Sequence, residues 1–193
     1  MLDPIKTPLA ALVEPLAELE YYADHQPAGE DSIYEKLSVT LNVEEEHPER
    51  EYSLEIFFIN DVTEAFGDDD EEDDAVITQL MLVLPFRIST EAYLDVMRYS
   101  QLVNRLIPVG AFGLSEDDGA VYLRHCLATE SRAIPRDILI EVVTALEYAC
   151  REYAPQFETI SSRRKTYDDI VREFEVAGRA LPSVGDPELF IAG

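Results

Sequence analysis

The sequence predicts an α+β fold: an antiparallel sheet with helices packed mainly on one face, in the order α-β-β-β-α-β-β-α, followed by a C-terminal helical extension. Three observations predict it. Tyr34–Val43 alternates strictly between apolar and polar residues, the mark of a strand with one dry face and one wet face. The connections among the first three predicted strands are too short for helical crossovers, so those strands pair antiparallel. Two longer stretches, about Thr90–Leu106 and Pro135–Tyr153, carry apolar residues at helical spacing, and each closes a batch of strands.

With 193 residues the chain fits one α+β domain, placed at residues 1–160, with an amphipathic extension and tail at 161–193. Apolar residues make up 47% of the chain, enough for a substantial core. The net charge is −25, from 40 acidic and 15 basic residues. That balance excludes a general nucleic-acid binder or a protein held on anionic lipid, both of which need Lys and Arg against phosphate. A solvated acidic surface, or one that meets a basic partner, remains.

In chain order, Leu9, Leu12, Val13, Leu16 and Leu19 predict a helix over Leu9–Tyr22. Pro8 suits its first turn; Pro15 is awkward inside it, so the helix either starts late or kinks there. Gln26-Pro27-Ala28-Gly29 breaks the pattern. Tyr34–Val43 then sends Leu37, Val39, Leu41 and Val43 to one face. A turn around Glu46–Glu49 leads to Tyr52–Asn60, with Leu54, Ile56 and Phe58 inward and Phe57 and Ile59 on a second face that is also covered. Val76–Ile88 reads as a central strand covered on both faces.

Ser89 or Thr90 can cap the next helix, whose stripe is Tyr93, Val96, Met97, Ser100, Val103 and Ile107, widened by Tyr99, Leu102 and Leu106. Strands near Ala111–Leu114 and Ala120–Thr129 flank a tight turn in which Asp118-Gly119 supplies positive φ. Pro135 opens a helix with a stripe of Ile138, Leu139, Val142, Leu146, Ala149 and Tyr153, and Pro155 marks its end.

No catalytic or metal-binding constellation emerges. His125 and Cys126 are adjacent on a strand and therefore point to opposite faces, which rules out a hydrogen-bonded dyad. His25, His47 and His125 lack metal-ligand spacing, and no Gly-rich phosphate loop or nucleophile elbow is present. Cys126 and Cys150 read as buried reduced thiols of a cytosolic protein. The acidic run 67–74 lacks the residue order of a Ca²⁺ loop. It can serve as a self-repelling linker, as a weak gatherer of divalent cations or as a dock for a basic segment.

The tail holds the one tight basic cluster, Arg163-Arg164-Lys165. Thr166 can cap a short helix after it, with Tyr167, Ile170, Phe174, Ala177 and Leu181 on one stripe, and Leu189-Phe190-Ile191 lie beyond a Pro/Gly-rich linker. Such a stripe either completes its own domain or docks in an apolar groove of another subunit or partner.

The stretch LVNRLIPVGAFGLSEDDGAVYLRHCLA (residues 102–128) resembles the corresponding part of the YbjN-type family of bacterial proteins, and the order of elements resembles the type III secretion chaperone-like fold. The resemblance rests on Asn104 near a helix end, a small-residue strand with Gly110, Phe112 and Gly113, an acidic-Gly turn, and an aromatic strand with Val121, Tyr122 and Leu123. It implies a non-enzymatic protein-interaction module, chaperone-like or regulatory and homodimeric, that binds an apolar segment of a partner protein. Tyr167, Ile170, Phe174 and Leu181 are the candidate partner-binding residues. No cofactor is expected. With no charged apolar leader and no apolar run long enough to cross a bilayer, a cytoplasmic protein without membrane insertion is expected. The alternative is a small-molecule- or metal-responsive regulator with a pocket between sheet and helices.

Overall fold

A computed structural model describes residues 7–29, 32–43, 50–65 and 75–177. His47, the acidic run 67–74, Leu181 and residues 189–191 lie outside them. Among the described residues the fold is α+β, an open six-stranded antiparallel sheet with five α-helices. The elements are α1 (Val13–Ala17), β1 (Tyr22–Gln26), β2 (Lys36–Leu41), β3 (Tyr52–Phe58), α2 (Ile59–Ala65) and β4 (Val76–Arg87). They continue with α3 (Tyr93–Val103), β5 (Ala111–Ser115), β6 (Ala120–Thr129), α4 (Arg136–Ser161) and α5 (Tyr167–Val176). In space the strands run β1-β2-β3-β4-β6-β5.

Cross-strand neighbours share a face, so the register separates a dry face from a wet one. Val39, Leu54, Leu82, Leu123 and Phe112 form one cross-strand row, and Leu37, Ile56 and Leu80 the next. Every member of both rows is buried in the core shared with Leu146, Cys150, Phe157 and other residues of α3 and α4. The helices thus cover one face. The opposite face carries Lys36, Glu55, Gln79, Met81, Arg124 and Cys126, together with Ile77 and Val83.

Several expectations are corrected. The first helix does not reach Tyr22. A 3-10 turn (Ala10–Leu12) precedes α1, which places Pro15 in the first helical turn, where its missing N–H leaves no bond unmade. Tyr22–Gln26 is an edge strand paired with β2. Residues 59 and 60 belong to α2 rather than to β3. β4 is central, but it is not covered on both faces: Ile77 and Val83 are 37% and 38% exposed on the open side. Phe57 does find cover there, from the Tyr34 ring at 5.2 Å between centroids. Met97 and Ile138, placed on buried stripes, are exposed.

The β5–β6 connection is a four-residue turn, Glu116–Gly119, because Ser115 pairs with Ala120. Gly119 has φ 65°, as the Asp-Gly signal predicts. Its carbonyl accepts from the Ile88 N–H at 2.9 Å, and a Cβ there would lie 2.7 Å from the Ile88 carbonyl oxygen. The turn is therefore stitched to the end of β4. On the outer side of β5, the Asn104 side chain acts as a short extra strand: its Oδ1 accepts from the Phe112 N–H at 2.7 Å, and its Nδ2 donates to the Phe112 carbonyl at 3.0 Å. This satisfies part of a sheet edge that would otherwise offer unpaired backbone groups.

α4 runs straight past Pro155, which does not end it. Pro155 lies on the solvent side, where the Arg151 carbonyl, deprived of its usual i+4 donor, is open to water. The helix stops only at Ser162, and the reversal uses Arg163 with φ 59°.

Candidate functional site

The tail stripe is the first site that the sequence proposes. Thr166 caps α5 through a reciprocal box: its hydroxyl accepts from the Asp169 N–H at 3.2 Å, and the Asp169 carboxylate accepts from the Thr166 N–H at 3.0 Å. The capped helix turns its stripe inward. Ile170 is 2% exposed within the core, with Tyr167 and Phe174 partly buried against it. The Arg98 guanidinium of α3 lies 4.0 Å from the Tyr167 ring centroid and donates to Asp168 at 2.9 Å. Three of the four proposed partner-binding residues therefore pack on α5's own domain; the fourth, Leu181, is outside the described residues. The basic cluster is engaged locally: Lys165 pairs with Glu173 at 2.6 Å, and Arg164 Nε donates to the Ser162 hydroxyl at 2.9 Å.

Packing of α5 against α3 and α4 leaves a cavity of about 190 Å³. Tyr99, Glu152, Tyr153, Gln156, Ile170 and Phe174 line it, with Glu173 beside them. Tyr99 is wedged edge-on against Phe157, with ring centroids 4.7 Å apart. Its hydroxyl is buried without a hydrogen-bond partner among the described residues, and so is Gln156 Oε1. Burial pushes the Tyr99 phenol well above the usual range, and the neighbouring Tyr153 and Glu152 add to this. The cavity lies among three helices rather than between helices and sheet. Sequence reasoning placed Tyr99 and Tyr153 on apolar stripes, but nothing local signals that their helices leave a space between them.

The open face of the sheet is the second site. Val83, with half-buried Met81 and Tyr122, forms an apolar strip along β4 and β6 among polar neighbours, and Ile77 lies on the same face beyond Gln79. Gly113 permits the strip to extend onto β5, because the Tyr122 ring lies where a Cβ at position 113 would sit, 2.4 Å from Tyr122 Cζ. Lys36 pairs with Glu55 at 2.8 Å toward the β1 side. Cys126 is exposed on this face, which corrects its reading as buried, whereas Cys150 is fully buried. His125 takes the opposite side, across from Leu80, and burial lowers its pKa. The strand geometry thus keeps His125 and Cys126 apart.

Two polar clusters have structural roles. The Tyr21 hydroxyl donates to Glu147 Oε2 at 2.5 Å, and Arg151 donates both to Glu147 Oε1 and to the Asn42 carbonyl, at 2.9 and 2.8 Å. Burial, then the bond to Glu147, pushes the Tyr21 phenol up to about 12. This network ties the start of β1 to α4. Near the chain start, His25 Nε2 lies 2.7 Å from Glu35 Oε1, to which the Thr7 hydroxyl also donates. Among the described residues, no group of three or more His, Cys, Asp or Glu could hold a metal ion. No described helix is long and apolar enough to cross a membrane.

The chain matches no family model, and no curated protein matches it.

Proposed function

We propose that this protein is a non-enzymatic interaction module, chaperone-like or regulatory, that binds an apolar segment of a partner protein on the uncovered face of its sheet. The observation that carries the reading is the apolar surface of Met81, Val83 and Tyr122, with Ile77 beyond Gln79, held at the centre of a sheet whose other face packs against the helices. A sheet braced on one side presents a rigid platform, which lowers the ordering cost of capturing an extended or helical segment. The resemblance of residues 102–128 to the YbjN-type family and of the element order to secretion chaperones points the same way. With its inward stripe packed in cis, the tail helix is a weaker candidate than the sheet for the binding surface. Homodimerisation and a cytoplasmic location belong to this proposal.

The test is affinity capture from the native cell with the intact protein and with an Ile77→Ser/Val83→Ser variant, alongside light scattering for mass. A partner retained by the wild type and lost by an equally folded variant is expected, with a mass twice that of one chain. A partner held equally by both proteins would move the site elsewhere, and a monomer that captures nothing would end the reading.

A further inference from the structure

The open face of the sheet holds an unpaired cation beside its apolar surface. Arg124 of β6 is exposed there, and its guanidinium has no ion-pair or hydrogen-bond partner among the described residues. Acidic residues outnumber basic ones 40 to 15, and Arg98, Arg132, Arg136 and Arg151 each hold a carboxylate. Arg124 lies across from Met81, and the next row on the same face is Val83 across from Tyr122. Alternate residues of a strand are roughly 6.5 Å apart, so the free cation stands one such step from an apolar row.

The complementary pattern occurs in the chain beyond α5. In PSVGDPELFIAG (residues 182–193) Asp186, Glu188 and Phe190 alternate, so an extended segment turns all three to one side at the spacing of the rows. Pro187 favours an extended backbone at Asp186. With Glu188 against Arg124, Phe190 falls on Val83 and Tyr122, and Asp186 falls beside Gln79 and Cys126. The reach is sufficient. α5 packs on α3, α3 packs on the edge strand β5, and β6 is the next strand inward. Eleven residues lead from Ala177, the last described residue, to Glu188. Extended, they cover roughly 36–40 Å, against layers roughly 10 Å apart. The crossing is low as well, because β5 places only Ala111, Gly113 and Ser115 on this face. Asn104 already occupies the outer backbone groups of Phe112, so the face is freer than the edge.

We propose that the segment around Glu188–Phe190 passes over the β5 edge onto the open face of its own chain, with Glu188 paired to Arg124 and Phe190 covering Val83 and Tyr122. Tethering favours the chain's own tail over that of a second copy, since a short tether holds its segment at an effective concentration of the order of mM. The inference rests on the open face being a binding surface, and it makes the tail the competitor that a partner segment displaces.

The exposed Cys126 thiol reports on the contact. Asp186→Cys in the full chain puts a second thiol in the row of Cys126, while Cys150 is fully buried. With oxidised glutathione as oxidant, an intramolecular disulfide between positions 126 and 186 is expected, read by non-reducing electrophoresis and mass spectrometry of the digest. Adding Phe190→Ser slows its formation by about tenfold, the loss of one buried aromatic side chain. Arg124→Glu or Glu188→Arg slows it by about three- to fivefold, and the two together restore it. Circular dichroism checks that each variant keeps the fold of its parent. Absence of the disulfide, formation at an equal rate in the Phe190→Ser and charge-reversed variants, or a disulfide that joins two chains overturns the proposal. Those outcomes leave the open-face reading standing, because capture of a partner and its loss in Ile77→Ser/Val83→Ser are measured without reference to the tail.

Discussion

At the scale of single residues, the two cysteines show how environment sets chemistry. Cys150 sits fully buried on the inner face of α4, and burial, with a smaller contribution from the Glu147 charge, pushes its thiol up to about 12. Cys126 is exposed on the open face of the sheet. The thiolate is the nucleophile that attacks a disulfide reagent and expels its thiolate, so both burial and a raised pKa protect Cys150. A native titration with a disulfide reagent near pH 8 is expected to count one rapid thiol, and a second only in denaturant; Cys126→Ser should abolish the rapid one. Two rapid thiols in the native protein would show that α4 opens readily. The sequence reveals that residues 125 and 126 face opposite ways, since strand parity is strict. It does not reveal which parity is inward, because His125 and Cys126 are flanked by the apolar residues of VYLRHCLA on both sides. Only the pairing of His125 with Leu80 decides it.

At the scale of elements, the local signals that proved most legible were those with a strict steric cause. The Asp-Gly turn is one, and the Thr166 cap is another. Those that failed were signals open to tertiary override. Tyr22–Gln26 is a short edge strand with exposed and half-buried positions alternating, so its polar composition hid it behind the apolar spacing of the preceding helix. Pro155 reads as a terminator, yet it lies on the exposed side of a long, well-packed helix, where a carbonyl left without its usual donor can turn to solvent. α2 was hidden because Phe58-Ile59 continues the apolar run of β3. The β5–β6 turn supplies the test at this scale. Gly119→Ala must hold an L residue at φ 65° and bring a Cβ within 2.7 Å of a backbone oxygen that has little room to move. The left-handed conformation alone costs about 1–2 kcal/mol, and the clash adds to it. Chemical denaturation should show a loss of at least that size. A loss under about 0.5 kcal/mol, the level of an ordinary surface substitution, would mean that the turn is not stitched to Ile88.

At the scale of the whole molecule, long-range arrangement is where the sequence is least informative. Tyr99, Glu152 and Ile170 come from three helices, and only their docking makes a cavity of them. The apolar stripe of α5 was plain from its spacing, but the surface it meets was not. Net charge is the opposite case, a global property read directly from composition. Acidic residues exceed basic ones by 25, so even complete pairing of the 15 cations leaves a large excess of carboxylates repelling one another. Pairs such as Arg98–Asp168 and Arg136–Glu18 are largely exposed, and an exposed pair contributes only about 0–1 kcal/mol. Repulsion acts on the compact state most strongly, because folding brings the carboxylates closer together. Raising sodium chloride from about 0.01 M to about 0.15 M shortens the screening length from roughly 30 Å to 8 Å, which weakens distant repulsion more than close pairing. The melting midpoint should therefore rise, by about 2–4 °C for each kcal/mol relieved in a chain of this size. A midpoint that falls with salt would show the reverse ordering, with the ion pairs tying α3 to α5, and α4 to Glu18 and Arg50, outweighing the repulsion of the acidic surface around them.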